Sequence, residues 1–354
     1  MRVGLIGAGH AAALHLHALQ RLRSAEVTGI LDCDLPRAAA LAARFALPPE
    51  VATADRFYDF GRPHIVHIVT PPASHYPLAL DALNRGVHVL VEKPPALTTQ
   101  QCDALWECAA ARGVTIGVNE NTAFDPLVRR AAAAIAAGEV GRLLHVDGEF
   151  SFGLDPDDIP APWVAELPGG MLEDLLPHLL VTARALAGAR MASDFWRLGS
   201  GGGLAHHRHD TLRLILVSES GVTVGLTLSL AGRPKTFRLA AQGTRGAIQI
   251  DLSNMLYQLS RTGAGDGALA RGFAVTAGAF GDLVQTGRNA LALAAGRRER
   301  FGGMLPLIRA HHAALAAGAP VPAPLSRAIE TVRIVQAIWP RVDATAAAGG
   351  AGNR

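Results

Sequence analysis

Val3-Gly4-Leu5-Ile6-Gly7-Ala8-Gly9-His10-Ala11-Ala12 decides the fold of this 354-residue chain. An apolar run that reads as a buried strand feeds directly into a G-x-G-x-x-A turn. Gly7 permits the tight turn, Gly9 lets the backbone approach a pyrophosphate, and Ala12 keeps the next helix close to the strand. A helix from Ala11 to Arg23 then points its first amides at the phosphates, so Gly7, Gly9, His10, Ala11 and Ala12 form a phosphate-facing turn. A second strand, Val27 to Leu31, ends at Asp32. An acidic side chain at that distance accepts hydrogen bonds from ribose hydroxyls and repels a 2′-phosphate, which favours NAD. Arg37, close behind it, offers a cation to such a phosphate and keeps NADP as the alternative.

Working outward, strand and helix continue to alternate: helix 36–45, strand 65–69, helix 75–84, strand 88–91, a helix capped by Thr98 and stopped by Gly113, and strand 114–118. That alternation predicts an α/β dinucleotide-binding Rossmann domain over residues 1–122, a doubly wound parallel sheet with helices on both faces. The loops Thr70-Pro71-Pro72 and Glu92-Lys93-Pro94-Pro95 fall on the same carboxyl edge as the glycine turn, where ligands sit in such sheets. After Asn119 the pattern changes. Strands 143–152, 211–218, 222–229, 235–241 and 247–251 follow one another with short turns, which predicts a large, mainly antiparallel open sheet in a second α/β domain, residues 123–340. Helices are expected at 126–137, 170–186, 304–317 and 326–339, the last capped by Ser326. Residues 263–300 read as a weakly marked helical insertion packed on the second domain, and 341–354 as a disordered tail.

Composition narrows the function. Apolar residues make up 49% and charged residues 18% of the chain, enough for sizeable cores. The formal charge of +3 is near balance, and no basic run is interleaved with aromatics, so nucleic acid is not an expected partner. Three cysteines without a C-x-x-C pair imply reduced packing residues. No secretory signal or charge-free span is evident, so a cytoplasmic protein without a membrane span is expected.

Two places offer chemistry. Lys93, at a strand's carboxyl end between Glu92 and Pro94, is placed to polarise a carbonyl or hold a hydroxyl. Asp174 and His178, four apart on the helix that Gly169-Gly170 opens, share a face. A carboxylate one turn from an imidazole suits a general base for an alcohol proton. Pro177 within this span argues for a kinked or late-starting helix. The run His206-His207-Arg208-His209-Asp210 has the composition of a metal cluster but lies in a glycine-rich loop, and no metal is expected. His15 and His17 read as packing or solvated residues, and His311-His312 as a pair on a C-terminal helix with an open substrate role.

Together, residues 3–12, Thr70-Pro71-Pro72-Ala73-Ser74-His75, the E-K-P motif after strand 88–91, and Gly169-Gly170 leading to Asp174 and His178 resemble the Gfo/Idh/MocA oxidoreductases, the glucose-fructose oxidoreductase and inositol dehydrogenase family. The resemblance implies hydride transfer between NAD(P) and a hydroxyl or keto carbon of a sugar, cyclitol or nucleotide-sugar-like small molecule. It implies that Lys93 contacts cofactor and substrate, that His178 is the acid/base with Asp174 beside it, and that Asp32 reads the ribose. It also implies a cis peptide before Pro94 and a homodimer or homotetramer built on the open sheet. Thr70, Pro71, Pro72, His75, Glu92 and Asn119 join the expected cofactor site. Asn119, Glu120, Asn121 and Trp163 are expected on the pocket wall. Leu176, Val181, Glu120 and Asn121 depart from the residues usual at their positions, which implies a reshaped pocket. Two other readings stay open: redox-assisted glycosidic elimination with a retained NAD, and a non-catalytic nucleotide-sensing protein.

Overall fold

The computed structural model describes residues 1–48, 53–188, 191–261, 268–296 and 302–339. Its first half follows from the alternation in the sequence. Strand β1 (Arg2–Ile6) leads into α1 (His10–Gln20), β2 (Glu26–Leu31) into α2 (Leu35–Arg44) and α3 (Ala54–Gly61), and β3 (Ile65–Ile68) into α4 (His75–Asn84). Then β4 (His88–Val91), α5 (Thr99–Arg112) and β5 (Ile116–Val118) complete a parallel sheet of order β2-β1-β3-β4-β5. Helix α5 has the ends read from sequence: the Thr98 side chain accepts from the Gln101 amide, and Gly113 takes a left-handed conformation at φ 65°. The short helix α3 carries little apolar periodicity of its own; Phe57, which it buries under Gly4, anchors it.

The second half is built around α6 (Pro126–Ala136), β6 (Leu143–Ser151), α7 (Pro162–Ala165) and the long α8 (Gly170–Ala187). Strands β7 (Met191–Gly199), β8 (Thr211–Ser218), β9 (Thr223–Ser229), β10 (Thr236–Gly243), β11 (Gly246–Asp251) and β12 (Leu256–Arg261) join β6 in a seven-stranded sheet of order β12-β11-β10-β6-β9-β8-β7. Every neighbouring pair is antiparallel except β6 with β9. Alternate residues of β8 and β9 are buried, so one face packs on α8 while the other is left open. Pro177 lies inside α8 without ending it. Strands β7 and β12, which the pattern did not reveal, pair with already evident strands, so partners rather than local periodicity specify them.

Three helices follow: α9 (Ala268–Ala294), α10 (Met304–Ala316) and α11 (Leu325–Ile338). Helix α9 supplies the expected helical insertion and lies along β12, where Gln285 exchanges hydrogen bonds with the backbone of Tyr257. Residues 263–267, 297–300 and the expected tail 341–354 lie outside the described residues. Ser326 does not cap α11: the helix already starts at Leu325 behind Pro324, whose extended backbone sets the entry.

The last two helices return to the first sheet. Met304 and Ile308 enter the core on the α1 side, and Leu325, Ala328 and Val332 enter the core on the α5 side. Between them the chain runs along the β5 edge, where the Val118 amide donates to the Ala323 carbonyl at 2.9 Å. A Cβ on Gly117 would stand 2.2 Å from the His311 ring. Gly117→Ala therefore overpacks this seam and is expected to lower stability by about 1–3 kcal/mol in denaturant titrations; an unchanged midpoint would show that α10 is not pressed on β5.

Candidate active site

The glycine turn has the geometry its sequence promised. Gly7 sits at φ +107°, and a Cβ there would be 2.9 Å from the Val69 backbone. Gly9 has nothing within 4 Å of a Cβ position, so this side of the turn is open to close approach. Helix α1 has no side-chain cap at Gly9 and no acidic residue in its first turn, which leaves its amide end for an anion. Ala12 is fully buried between helix and sheet. These observations fit a dinucleotide pyrophosphate.

At the end of β2, Asp32 accepts from the Ala8 amide at 2.6 Å and the Asp34 amide at 2.8 Å, and pairs with Arg37 at 3.2 Å. Burial opposes its ionisation, but the Asp34 and Ala8 amides and the Arg37 guanidinium outweigh burial and hold the carboxyl below the usual carboxylate range. Asp32 thus fastens the turn as well as facing it. Arg37 is already engaged by Asp32 and Asp34.

On the same edge, a second group of residues meets. The Ser74 hydroxyl donates to the Thr70 hydroxyl at 2.7 Å. His75 is buried with one ring nitrogen 2.7 Å from the Thr70 carbonyl and the other 2.7 Å from the Pro94 carbonyl, tying the Thr70-Pro71-Pro72 loop to the E-K-P loop. The Lys93-Pro94 peptide is cis. Lys93 reaches across to α8: its Nζ donates to Asp174 Oδ1 at 2.6 Å and to the Asp174 carbonyl at 2.8 Å. Both side chains keep a slight exposure, 15% and 16%. His178 follows one turn later, half-buried, and among the described residues neither of its ring nitrogens has a hydrogen-bond partner. Burial and then the Lys93 charge depress its pKa to about 4, against the pull of Asp174 and Glu92. Asp174 therefore touches Lys93, while it acts on His178 through its charge.

Behind Lys93 the site continues inward through the expected Glu92 and Asn119 to three histidines that the sequence did not place in the cofactor site. Glu92 Oε1 lies 3.1 Å from His15 Nε2 and 2.5 Å from Asn119 Nδ2, while Oε2 accepts from the Lys93 amide at 3.2 Å. His15 Nδ1 is 2.9 Å from His67 Nδ1, and His67 Nε2 is 3.0 Å from His312 Nε2. The signal for this chain was present: His67 interrupts an otherwise wholly apolar strand, Ile65-Val66-His67-Ile68. His17, by contrast, is exposed and packs on the Phe45 ring.

The expected pocket residues separate. Asn119 stands at the carboxyl end of β5 with a buried Oδ1 that has no partner among the described residues. Glu120 points away into an ion pair with Arg184, both side chains 2% exposed. Arg184 also donates to the Arg327 carbonyl at 2.7 Å, so this pair joins α8 to α11. Asn121 begins a short 3₁₀ turn, residues 121–124, and Trp163 is half-buried on α7. Among the described residues no cluster of His, Cys, Asp and Glu is arranged for a metal, and no helix is long and apolar enough to cross a membrane.

The family pattern described as the oxidoreductase family, NAD-binding Rossmann fold, matches residues 1–120, and that of the GFO/IDH/MocA C-terminal domain matches residues 128–249. The chain belongs to the Gfo/Idh/MocA oxidoreductase family. It is thus an NAD(P)-dependent oxidoreductase, with the fold the sequence resemblance implied. It is 29% identical over 268 residues to D-apiose dehydrogenase of Paraburkholderia graminis, a match covering 73% of this chain and 70% of that one. It is 27% identical over 291 residues to inositol 2-dehydrogenase 1 of Paenarthrobacter aurescens, covering 80% and 83%. The crystal structure of an oxidoreductase from Agrobacterium radiobacter in complex with NAD+, L-tartaric acid and magnesium has the same fold, with a TM-score of 0.74 at 18% identity over 95% of this chain and 94% of that one.

The buried imidazoles set a pH dependence. Burial depresses His67 well below its ordinary value, aided by its histidine neighbours, and takes His311 to about 3 and His312 to about 4. In the unfolded chain these groups take up protons near pH 6.5, while in the folded protein they do not. Their stabilising share is therefore complete above pH 6.5 and is lost as pH falls toward 4, by about 1.4 kcal/mol per pH unit for each imidazole kept neutral. Thermal midpoints are expected to be level above pH 7 and to fall steeply between pH 6.5 and 4.5, with a shallower slope for His311→Phe; a flat profile across that window would contradict the burial of these rings.

Proposed function

We propose that this protein is an NAD-dependent dehydrogenase that interconverts a hydroxyl and a keto carbon of a sugar, cyclitol or nucleotide-sugar-like substrate. The observation that carries this reading is the meeting of Lys93, Asp174 and His178 on the same sheet edge as the open Gly7–Gly9 turn. The named activities of the D-apiose and inositol dehydrogenases support the substrate class. When bound, the nicotinamide cofactor accepts or donates the hydride. Gly7, Gly9, His10, Ala11 and Ala12 hold its phosphates, Asp32 its ribose, and Thr70, Pro71, Pro72, His75, Glu92 and Asn119 line its path, with Arg37 turned to Asp32.

The chemistry of the protein's own groups follows. His178, kept neutral by burial, takes the hydroxyl proton during oxidation and returns it during reduction. The Lys93 ammonium donates to the reacting oxygen and stabilises charge developing there. Asp174 holds that ammonium in place through the 2.6 Å contact. Asn121 and Trp163 stand with Asn119 on the substrate side. Glu120 contributes to the wall only through the backbone that its pair with Arg184 fixes.

In this reading residues 1–122 hold the cofactor and 123–340 shape the substrate pocket. The open face of the second sheet carries a trough of about 910 Å³ lined by Phe195, Ile215, Arg213 and Arg238, away from Lys93. This face supports a homodimer or homotetramer, and the enzyme acts in the cytoplasm. Nicotinamide absorbance followed across a panel of sugars, cyclitols, sugar acids and nucleotide sugars tests the reading. Lys93→Ala and His178→Ala are each expected to lower kcat/KM by about 10²–10⁴-fold with little change in melting temperature; undiminished turnover in both variants would remove these residues from the chemistry.

A further inference from the structure

We propose that His75 is a buried imidazolium, a positioning residue that staples the Thr70-Pro71-Pro72 loop to the E-K-P loop and so fixes the backbone from which Lys93 acts; the Lys93 step rests on the dehydrogenase reading. A neutral imidazole has one N–H and one bare nitrogen, whereas an imidazolium has two N–H groups. A carbonyl oxygen only accepts. At His75, Nδ1 lies 2.7 Å from the Pro94 carbonyl oxygen and Nε2 lies 2.7 Å from that of Thr70. In a neutral ring, one of these contacts would press a nitrogen lone pair against oxygen lone pairs at hydrogen-bonding distance. Turning the ring over gives no escape, because it puts carbons in place of the nitrogens, and C–H···O contacts settle at about 3.3–3.6 Å. Both contacts have instead the length of charge-assisted N–H···O bonds, about 2.7–2.9 Å. The ring donates twice.

The surroundings can carry this charge. His75 is 1% exposed. Burial, the largest influence on the ring, drives it below its ordinary pKa, with the Lys93 ammonium adding to the fall, while the Pro94 and Thr70 carbonyls and the Glu92 carboxylate drive it up. The geometry decides between them. A neutral ring could keep only one of the two carbonyls, so losing the proton means losing a loop contact, and the cost of that contact holds the proton against burial. Glu92 supplies the counter-charge: burial opposes its ionisation, but the His15 and Asn119 bonds and the Lys93 charge bring its pKa down to about 2. The opposing Lys93 ammonium is already met by Asp174 at 2.6 Å. Of the other elements packed on α4, β3 brings His67, which burial keeps neutral. Helix α5 brings Cys102, which burial keeps as a thiol, and its Asp103 and Glu107 are exposed. The edge then holds two balanced sets, Lys93 with Asp174 and His75 with Glu92.

Pro94 follows Lys93 directly, so a carbonyl fixed at Pro94 limits how far the Lys93 backbone can move, and with it the point from which the ammonium reaches Asp174. The first test needs no ligand: nitrogen-15 imidazole spectra of the free, full-length protein at pH 7. Both His75 nitrogens should carry a proton, and Glu92→Gln should move the titration of this ring to lower pH, because the anion that favours its cation is gone. One bare nitrogen at His75 in the wild type overturns the proposal, whether or not any variant folds. The positioning step is read from turnover on whichever substrate of the panel the wild type accepts. His75→Gln places a donor nitrogen at one end only, and His75→Phe at neither. Both are expected to lower kcat by about 10–100-fold, with KM for NAD+ within about threefold. A folded His75→Phe with unchanged kcat, or with a change in KM alone, overturns the positioning role. A wild type that turns over no member of the panel overturns the dehydrogenase reading instead, and the spectra still decide the staple.

Discussion

The contact between Lys93 and Asp174 is the constraint on which the site depends. It joins two elements 81 residues apart, the end of β4 in the parallel sheet and the first turns of α8 in the second half of the fold. An ammonium that donates to both the carboxylate and the carbonyl of one residue is fixed in direction, not merely neutralised. That brings His178, one helical turn further on, over the same edge without a direct bond to either partner. An imidazole free of protein partners is free to turn its nitrogen, as the proposed acid/base role requires, and the charge arrangement beside it is set by the Lys93–Asp174 pair.

The contact holds because both of its supports are tied elsewhere. On the first side, His75 binds the two loops of the edge together through their carbonyls. On the second, the buried pair of Glu120 and Arg184 and the Arg184 bond to the Arg327 carbonyl lock α8 to α11, and α11 buries Leu325, Ala328 and Val332 on the first sheet. Breaking one member of such a buried pair leaves an uncompensated charge, which costs about 3–5 kcal/mol. The C-terminal helices, though last in sequence, thus act as a clamp across both sheets. This explains why Glu120, beside the site in sequence, serves architecture instead.

Much of this was legible in advance, for definable reasons. Gly7, Gly9 and Ala12 are constrained by local sterics, and a parallel sheet advertises itself through alternation, so the first half of the fold and the phosphate turn followed from spacing alone. Lys93, Asp174 and His178 were recognisable as candidates because each sits at a position whose local geometry was already determined. The partner of Asp174 was not legible, since a four-residue spacing on a helix shows which side chains share a face but not what crosses to them from another element. The ring chain was legible only at His67, the one polar letter in an apolar strand; His15 and His312 lie on other elements, and only folding makes the three neighbours. Strands β7 and β12 and the start of α11 at Leu325 likewise depend on partners and on Pro324 rather than on periodicity.

The chain contains only two lysines, Lys93 and Lys235, against many arginines. Positive side-chain charge is carried almost wholly by guanidinium groups, so the residue at position 93 is not one of a common type that happens to lie near the edge. The preference has a physical reading. An ammonium is a compact point charge with three rotatable donors, able to hold Asp174 and still direct a proton at a reacting oxygen, whereas a guanidinium would satisfy the carboxylate in a planar fork and leave its remaining donors fixed. The two ends of the site therefore solve opposite problems. At the end of β2, Arg37 and two backbone amides pin Asp32 rigidly. At the other end Lys93 is held from one side only, by Asp174, and keeps a donor to spare.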